Sequence, residues 1–183
     1  SSLESLVEQA EEGEDCWGQI IRELSTEEDA DAVEACVDAC MRRKGGGDLE
    51  KVVEQAESTD AVWFAFERVL KDFKDVPGVI ESAFAVLRAL TTSPFREEWR
   101  KHFLENHISD SLICTVVDIM DEHHADEPTL QEQACLLIEA FAAEETNRPK
   151  LQKTQTQLEN AKEAIQNERH KGFPDRALKA IGA

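Results

Sequence analysis

The sequence predicts an all-α chain built from repeated three-helix units, on three observations. Apolar residues recur at helical spacing, the chain matches itself at a fixed offset, and strand-type alternation of apolar and polar residues is missing over any sustained stretch. Hydrophobic residues make up 41% of the 183, enough to bury a core and too many for a wholly disordered chain. Aromatic residues are sparse and Tyr is absent, which removes much of the usual strand-forming material.

The self-match places Leu3-Glu4-Ser5-Leu6-Val7-Glu8-Gln9-Ala10-Glu11 over Leu49-Glu50-Lys51-Val52-Val53-Glu54-Gln55-Ala56-Glu57, an offset of 46. Trp17 then falls on Trp63, Arg22 on Arg68 and Leu24 on Leu70, so the match continues through a second helix. A third copy follows 51 residues on, with Phe103-Leu104-Glu105-Asn106 against Val52-Val53-Glu54-Gln55 and Ile113 against Val62. The long helix of each unit adds Val33-Glu34-Ala35-Cys36, Ile80-Glu81-Ser82-Ala83 and Gln131-Glu132-Gln133-Ala134. A small residue ends each set, where neighbouring helices must approach closely.

Each element carries one apolar stripe at i, i+3, i+4, i+7 spacing, the mark of a helix with one buried face. In order along the chain these are Trp17, Ile20, Ile21 and Leu24; Val33, Cys36, Val37, Cys40 and Met41; and Val62, Ala65, Phe66, Val69 and Phe73. Next come Ile80, Ala83, Phe84 and Leu87, then Ile113, Val116, Val117 and Met120. Leu130, Ala134, Leu137, Ile138 and Phe141 give the broad face of the third long helix.

Turn chemistry sets the expected boundaries. Ser25 with Glu28 has the spacing of a capping box, and Pro77, Pro94 and Pro128 suit first helical turns, with Asp75, Ser93 and Asp126 as caps. Gly45-Gly46-Gly47 should close the first long helix before Asp48 caps the next. The resulting units span about 3–47, 48–93 and 94–148, within one repeat domain 1–148. Residues 149–183 read as a polar helix with a narrow stripe of Leu151, Leu158, Ala161 and Ile165, stopped by Gly172-Phe173-Pro174 and followed by a partial further helix.

The stretch from Ser109 to Asn147 resembles an armadillo repeat. Leu112 to Met120 reads as its second helix, and Leu130 to Phe141 with Ala142-Ala143-Glu144-Glu145-Thr146-Asn147-Arg148 as its third helix and closing tail. Val79 to Arg100 is a looser instance, and HEAT-type repeats fit the first unit as well. The resemblance implies a right-handed α–α superhelix that binds other proteins along its long third helices. Positions that resemble the peptide-clamping Asn and Trp of the peptide-binding members hold Arg42, Ala89 and Ala140, and Ala85 and Leu136, so the extended-peptide mode is not expected.

Charge narrows the partners. Thirty-nine Asp and Glu face 20 Lys and Arg, a formal net charge of −19, which opposes binding to a phosphate backbone. Thirteen of the acids precede residue 41 with Arg22 as the single cation there, whereas 149–183 holds seven cations and four acids. A basic protein surface would therefore meet the N-terminal end. No apolar run reaches the roughly 20 residues of a membrane span, so no membrane insertion is expected. Five cysteines, odd in number and mostly on apolar stripes, suit a reducing interior such as the cytoplasm. The start at Ser1-Ser2 is consistent with removal of an organellar targeting segment.

No site of catalysis is expected. There is no nucleophile elbow, Ser-His-Asp order or dinucleotide fingerprint, and Gly45-Gly46-Gly47 lacks the Lys and Ser or Thr of a phosphate loop. Cys36 and Cys40, one turn apart, read as packing. His123-His124 beside Asp121, Glu122 and Asp126 reads as a solvated turn, and His102, His107 and His170 as scattered. The acidic runs Glu11, Glu12, Glu14, Asp15 and Glu27, Glu28, Asp29, Asp31 lack the Gly and terminal Glu of a calcium loop. They suit the positive end of helices and the steering of a basic partner. Repeat equivalence puts Trp17 and Trp63 in the core, and Trp99 beside Arg96 and Arg100 at an interface.

The expected function is thus a non-catalytic, cofactor-free scaffold or adaptor that docks a partner protein. Its docking residues are Arg42, Arg88 and Glu139 on the long helices, Trp99, and Glu27, Glu28, Asp29 and Asp31 on the acidic end. The alternative is an accessory subunit built into a large multiprotein complex.

Overall fold

The computed structural model describes residues 2–41, 49–123 and 126–183, which form helices and turns with no strand among them. The chain divides into two compact units, Ser1–Leu90 and Thr91–Ala183. The Gly45-Gly46-Gly47 and Asp48 boundary lies outside the described residues.

The first unit holds α1 (Ser2–Glu11), α2 (Trp17–Leu24), α3 (Ala30–Met41), α4 (Leu49–Gln55), α5 (Thr59–Asp72) and α6 (Pro77–Leu90). The second holds α7 (Glu97–Asn106), α8 (Asp110–Glu122), α9 (Pro128–Phe141), α10 (Arg148–Leu151), α11 (Gln155–Ala164) and α12 (Phe173–Ile181). The helix–helix–helix order read from the sequence appears in α1–α3, α4–α6 and α7–α9.

In the first unit α3 lies along α6, α1 packs on α2 and α3, and α2 packs on α4 and α5. The stripes drive this. Trp17, Ile20, Ile21 and Leu24 are all but sealed from solvent, as are Val62, Trp63, Phe66, Ile80 and Phe84. Met41 departs from its stripe: the last residue of α3, it is 38% exposed.

Two glycines permit close approach. A Cβ on Gly18 in α2 would lie 2.5 Å from the backbone oxygen of Gln55 at the end of α4, and one on Gly78 would strike the Glu34 carboxylate. The absent side chain lets α2 abut α4 directly, and lets a carboxylate of α3 sit on the first turn of α6, where the helix dipole favours it.

Several expected caps fall elsewhere. Ser25 closes α2, its hydroxyl donating to Ile21 O at 2.9 Å, while Asp29 caps α3 by accepting from Asp31 N at 3.0 Å. The short connection gives the cap to the carboxylate adjacent to the helix instead of to a residue four positions earlier. Pro94 sits in a turn ahead of α7 and not in its first turn, and Glu127, not Asp126, precedes Pro128 at the start of α9. Ser58 and Ser109 are the hydroxyl caps, each accepting at 3.1 Å from a backbone N–H of the first turn of α5 and of α8.

In the second unit the helix ends are tied by side chains. Asn147, buried, donates to Leu104 O at 2.9 Å and Phe141 O at 3.1 Å, which joins the last turns of α7 and α9. Buried Gln131 donates to Met120 O and His123 O at the end of α8. Lys150 Nζ donates to Ile108 O at 3.0 Å. Carbonyls in the last turn of a helix run out of helical N–H partners, and here side-chain donors reach them.

Residues 149–183 belong to this same compact unit. Leu151, Leu158, Ala161 and Ile165 are all buried, as the narrow stripe predicts. Phe173-Pro174 starts a helix and does not stop one: Pro fits the first turn, where its missing N–H is not needed. This helix, α12, lies along α9, and closes at Gly182 in the left-handed region, with Gly182 N bonded to Lys179 O and Ala183 N to Leu178 O.

Candidate functional site

The strongest concentration of unusual surface lies in the first unit, where the α1–α2 loop meets α4. Gly13, at φ +100°, turns the chain sharply after α1. The turn leaves Glu11, Glu12, Glu14 and Asp15 around a cleft of about 320 Å³ that is also lined by Trp17, Lys51 and Gln55. Gln55 fixes the loop from both ends of its amide: its oxygen accepts from Trp17 N at 3.0 Å, and its nitrogen donates to Asp15 Oδ1 at 3.1 Å. Cys16 Sγ points back to Leu6 O at 3.3 Å, and burial together with the nearby Glu14 charge raises its pKa.

Glu27, Glu28 and Asp29 lie between α2 and α3 and Asp31 in the first turn of α3, with Glu28, Asp29 and Asp31 exposed. They divide in role. Asp29 serves as the cap of α3, and the Glu27 carbonyl accepts from Arg68 Nη1 at 2.7 Å, the same nitrogen that donates to Leu24 O at 3.0 Å. Arg68 is further held by Asp72 at 2.7 Å, so this connection is pinned to α5.

The other predicted docking residues have different settings. Arg42 lies outside the described residues, and Arg88 is exposed on α6. Trp99 is half-buried, with the Arg96 guanidinium 3.9 Å over its ring and Phe95 at 5.5 Å. Glu139 is taken up within its own unit: Arg176 of α12 grips it through two hydrogen bonds, at 3.0 and 2.6 Å. The neighbouring Glu132, nearly buried, meets His170 Nδ1 at 2.9 Å, and the His170 ring stacks on Phe173 at 4.7 Å. The face of α9 around these two carboxylates is covered by α12 and the segment before it.

Gln55 and Lys51 were missed as site residues. Gln55 was visible as the partner of Gln9 in the self-match, but the match marks the repeat and not the amide's reach to the α1–α2 loop.

The cysteines are all free thiols. Cys36 and Cys40 are buried, and the hydrogen bond between them, aided by burial, raises the Cys40 pKa well above its ordinary value. No third donor joins them among the described residues. Cys135 is pushed up to about 12 by burial beside Glu132. Cys114 differs from the expected burial, since it faces solvent from the polar side of α8. His123 ends α8, and His124 lies outside the described residues. His102 and His107, which read as scattered, meet edge to face with centroids 5.3 Å apart.

No described helix is long and apolar enough to cross a membrane. Comparison with known proteins found no matching family model, no matching curated protein and no matching solved structure. What stands is the all-helical fold.

Proposed function

We propose that this chain is a non-catalytic docking scaffold, an armadillo-like helical array whose acidic first unit binds a basic surface on a partner protein inside a reducing compartment. The observation that carries the reading is the acidic cleft, where four carboxylates gather around a pinned loop, with Lys51 as the one cation in its lining among the described residues. Glu28, Asp29 and Asp31 extend the negative surface at the start of α3. Such a field steers a positive surface toward it and loses strength with added salt.

The test is titration of the protein with a short Lys- and Arg-rich peptide, followed by nuclear magnetic resonance shifts across 0.05–0.5 M salt, set as a range spanning weak to strong screening, roughly a threefold change in Debye length. Binding should perturb the α1–α2 loop and the α2–α3 connection, weaken steeply with salt, and fall by about tenfold when Glu11, Glu12, Glu14 and Asp15 are changed together to Gln and Asn, a loss of about 1.4 kcal/mol. Perturbations elsewhere, or affinity unchanged in the neutralised variant, would overturn the assignment.

A further inference from the structure

We draw no further inference here: the strongest candidate, the acidic cleft between the α1–α2 loop and α4, belongs to the surface already described and is a cluster of carboxylates with nothing in the structure to show what occupies it.

Discussion

The two units pack on the same kind of apolar stripe, yet they differ in charge and in the side chains that tie their helices. Residues 1–90 carry 22 acidic and nine basic side chains, and residues 91–183 carry 17 and eleven. In the second unit acids and cations meet across helices: Glu139 with Arg176, Glu132 with His170, and Asp110 with Lys153 at 2.7 Å, which lowers the Asp110 pKa and raises that of Lys153. Its buried amides Asn147 and Gln131 close helix ends. The first unit has two fully buried tryptophans and helices in glycine-mediated contact, and its acidic excess has too few cations to be neutralised internally. Apolar packing holds both units, and polar ties supplement it in each: Gln55 and Arg68 in the first, Asn147, Gln131 and the Glu139–Arg176 pair in the second.

The contrast can be broken most severely at Trp63. Trp63→Ala should cost about 3–5 kcal/mol in urea unfolding, with hydrogen-exchange protection lost first in residues 1–90, because a large buried side chain leaves a cavity. Protection lost equally in 91–183 would show that the units do not differ in this way.

The matching change in the second unit is Asn147→Ala, which strands the carbonyls of Leu104 and Phe141. A loss of about 2–3 kcal/mol is expected, with faster exchange at the ends of α7 and α9, since the cost of a buried unsatisfied group exceeds that of a lost surface bond. Stability within about 0.5 kcal/mol of the parent would mean that water replaces the amide and that the polar tie is dispensable.

Gly18→Ala probes the close approach of α2 to α4. The added Cβ meets backbone and not a flexible side chain, so the helices must separate, at about 1–2 kcal/mol. The same variant should shift the resonances of Gln55 and Asp15, since their bond bridges this contact. An unchanged melting temperature would remove the glycine from the account.

The smallest effect is the pH dependence of the buried thiols. Cys135 holds its proton to about 12 in the folded chain but releases it near the ordinary 9.0 once unfolded. The folded state therefore binds the proton more tightly, and this contribution is complete below about pH 9 and is lost as pH rises toward 12. Unfolding free energy should fall by about 1 kcal/mol between pH 8 and 10 from Cys135, and Cys135→Ala should flatten that part of the profile. At pH 8 an alkylating reagent should modify exposed Cys114 well before Cys36, Cys40 or Cys135, because only thiolate that reagent can reach reacts.

The candidate surface was half legible. The acidic run from Glu11 to Asp15 and the run from Glu27 to Asp31 are contiguous, so their charge could be read directly. That Gln55 would pin the first run, and that Asp29 would be spent on capping α3, depends on which groups the backbone brings within about 3 Å, a distance no spacing rule encodes. Glu139 shows the same limit. Its place on the third long helix suggested a docking residue, yet Arg176, 37 positions later, occupies it.

By itself the sequence determined the helical class, the three-helix order of α1–α9, the buried stripes with Trp17 and Trp63, and the uneven charge, because each follows from local periodicity or composition. Tertiary structure alone decided that α12 covers α9, that Glu139 and Glu132 are paired within the unit, that Asn147 joins two helix ends, and that a cleft opens beside the α1–α2 loop. These outcomes rest on contacts between residues far apart in the chain, and such contacts exist only once the helices have packed.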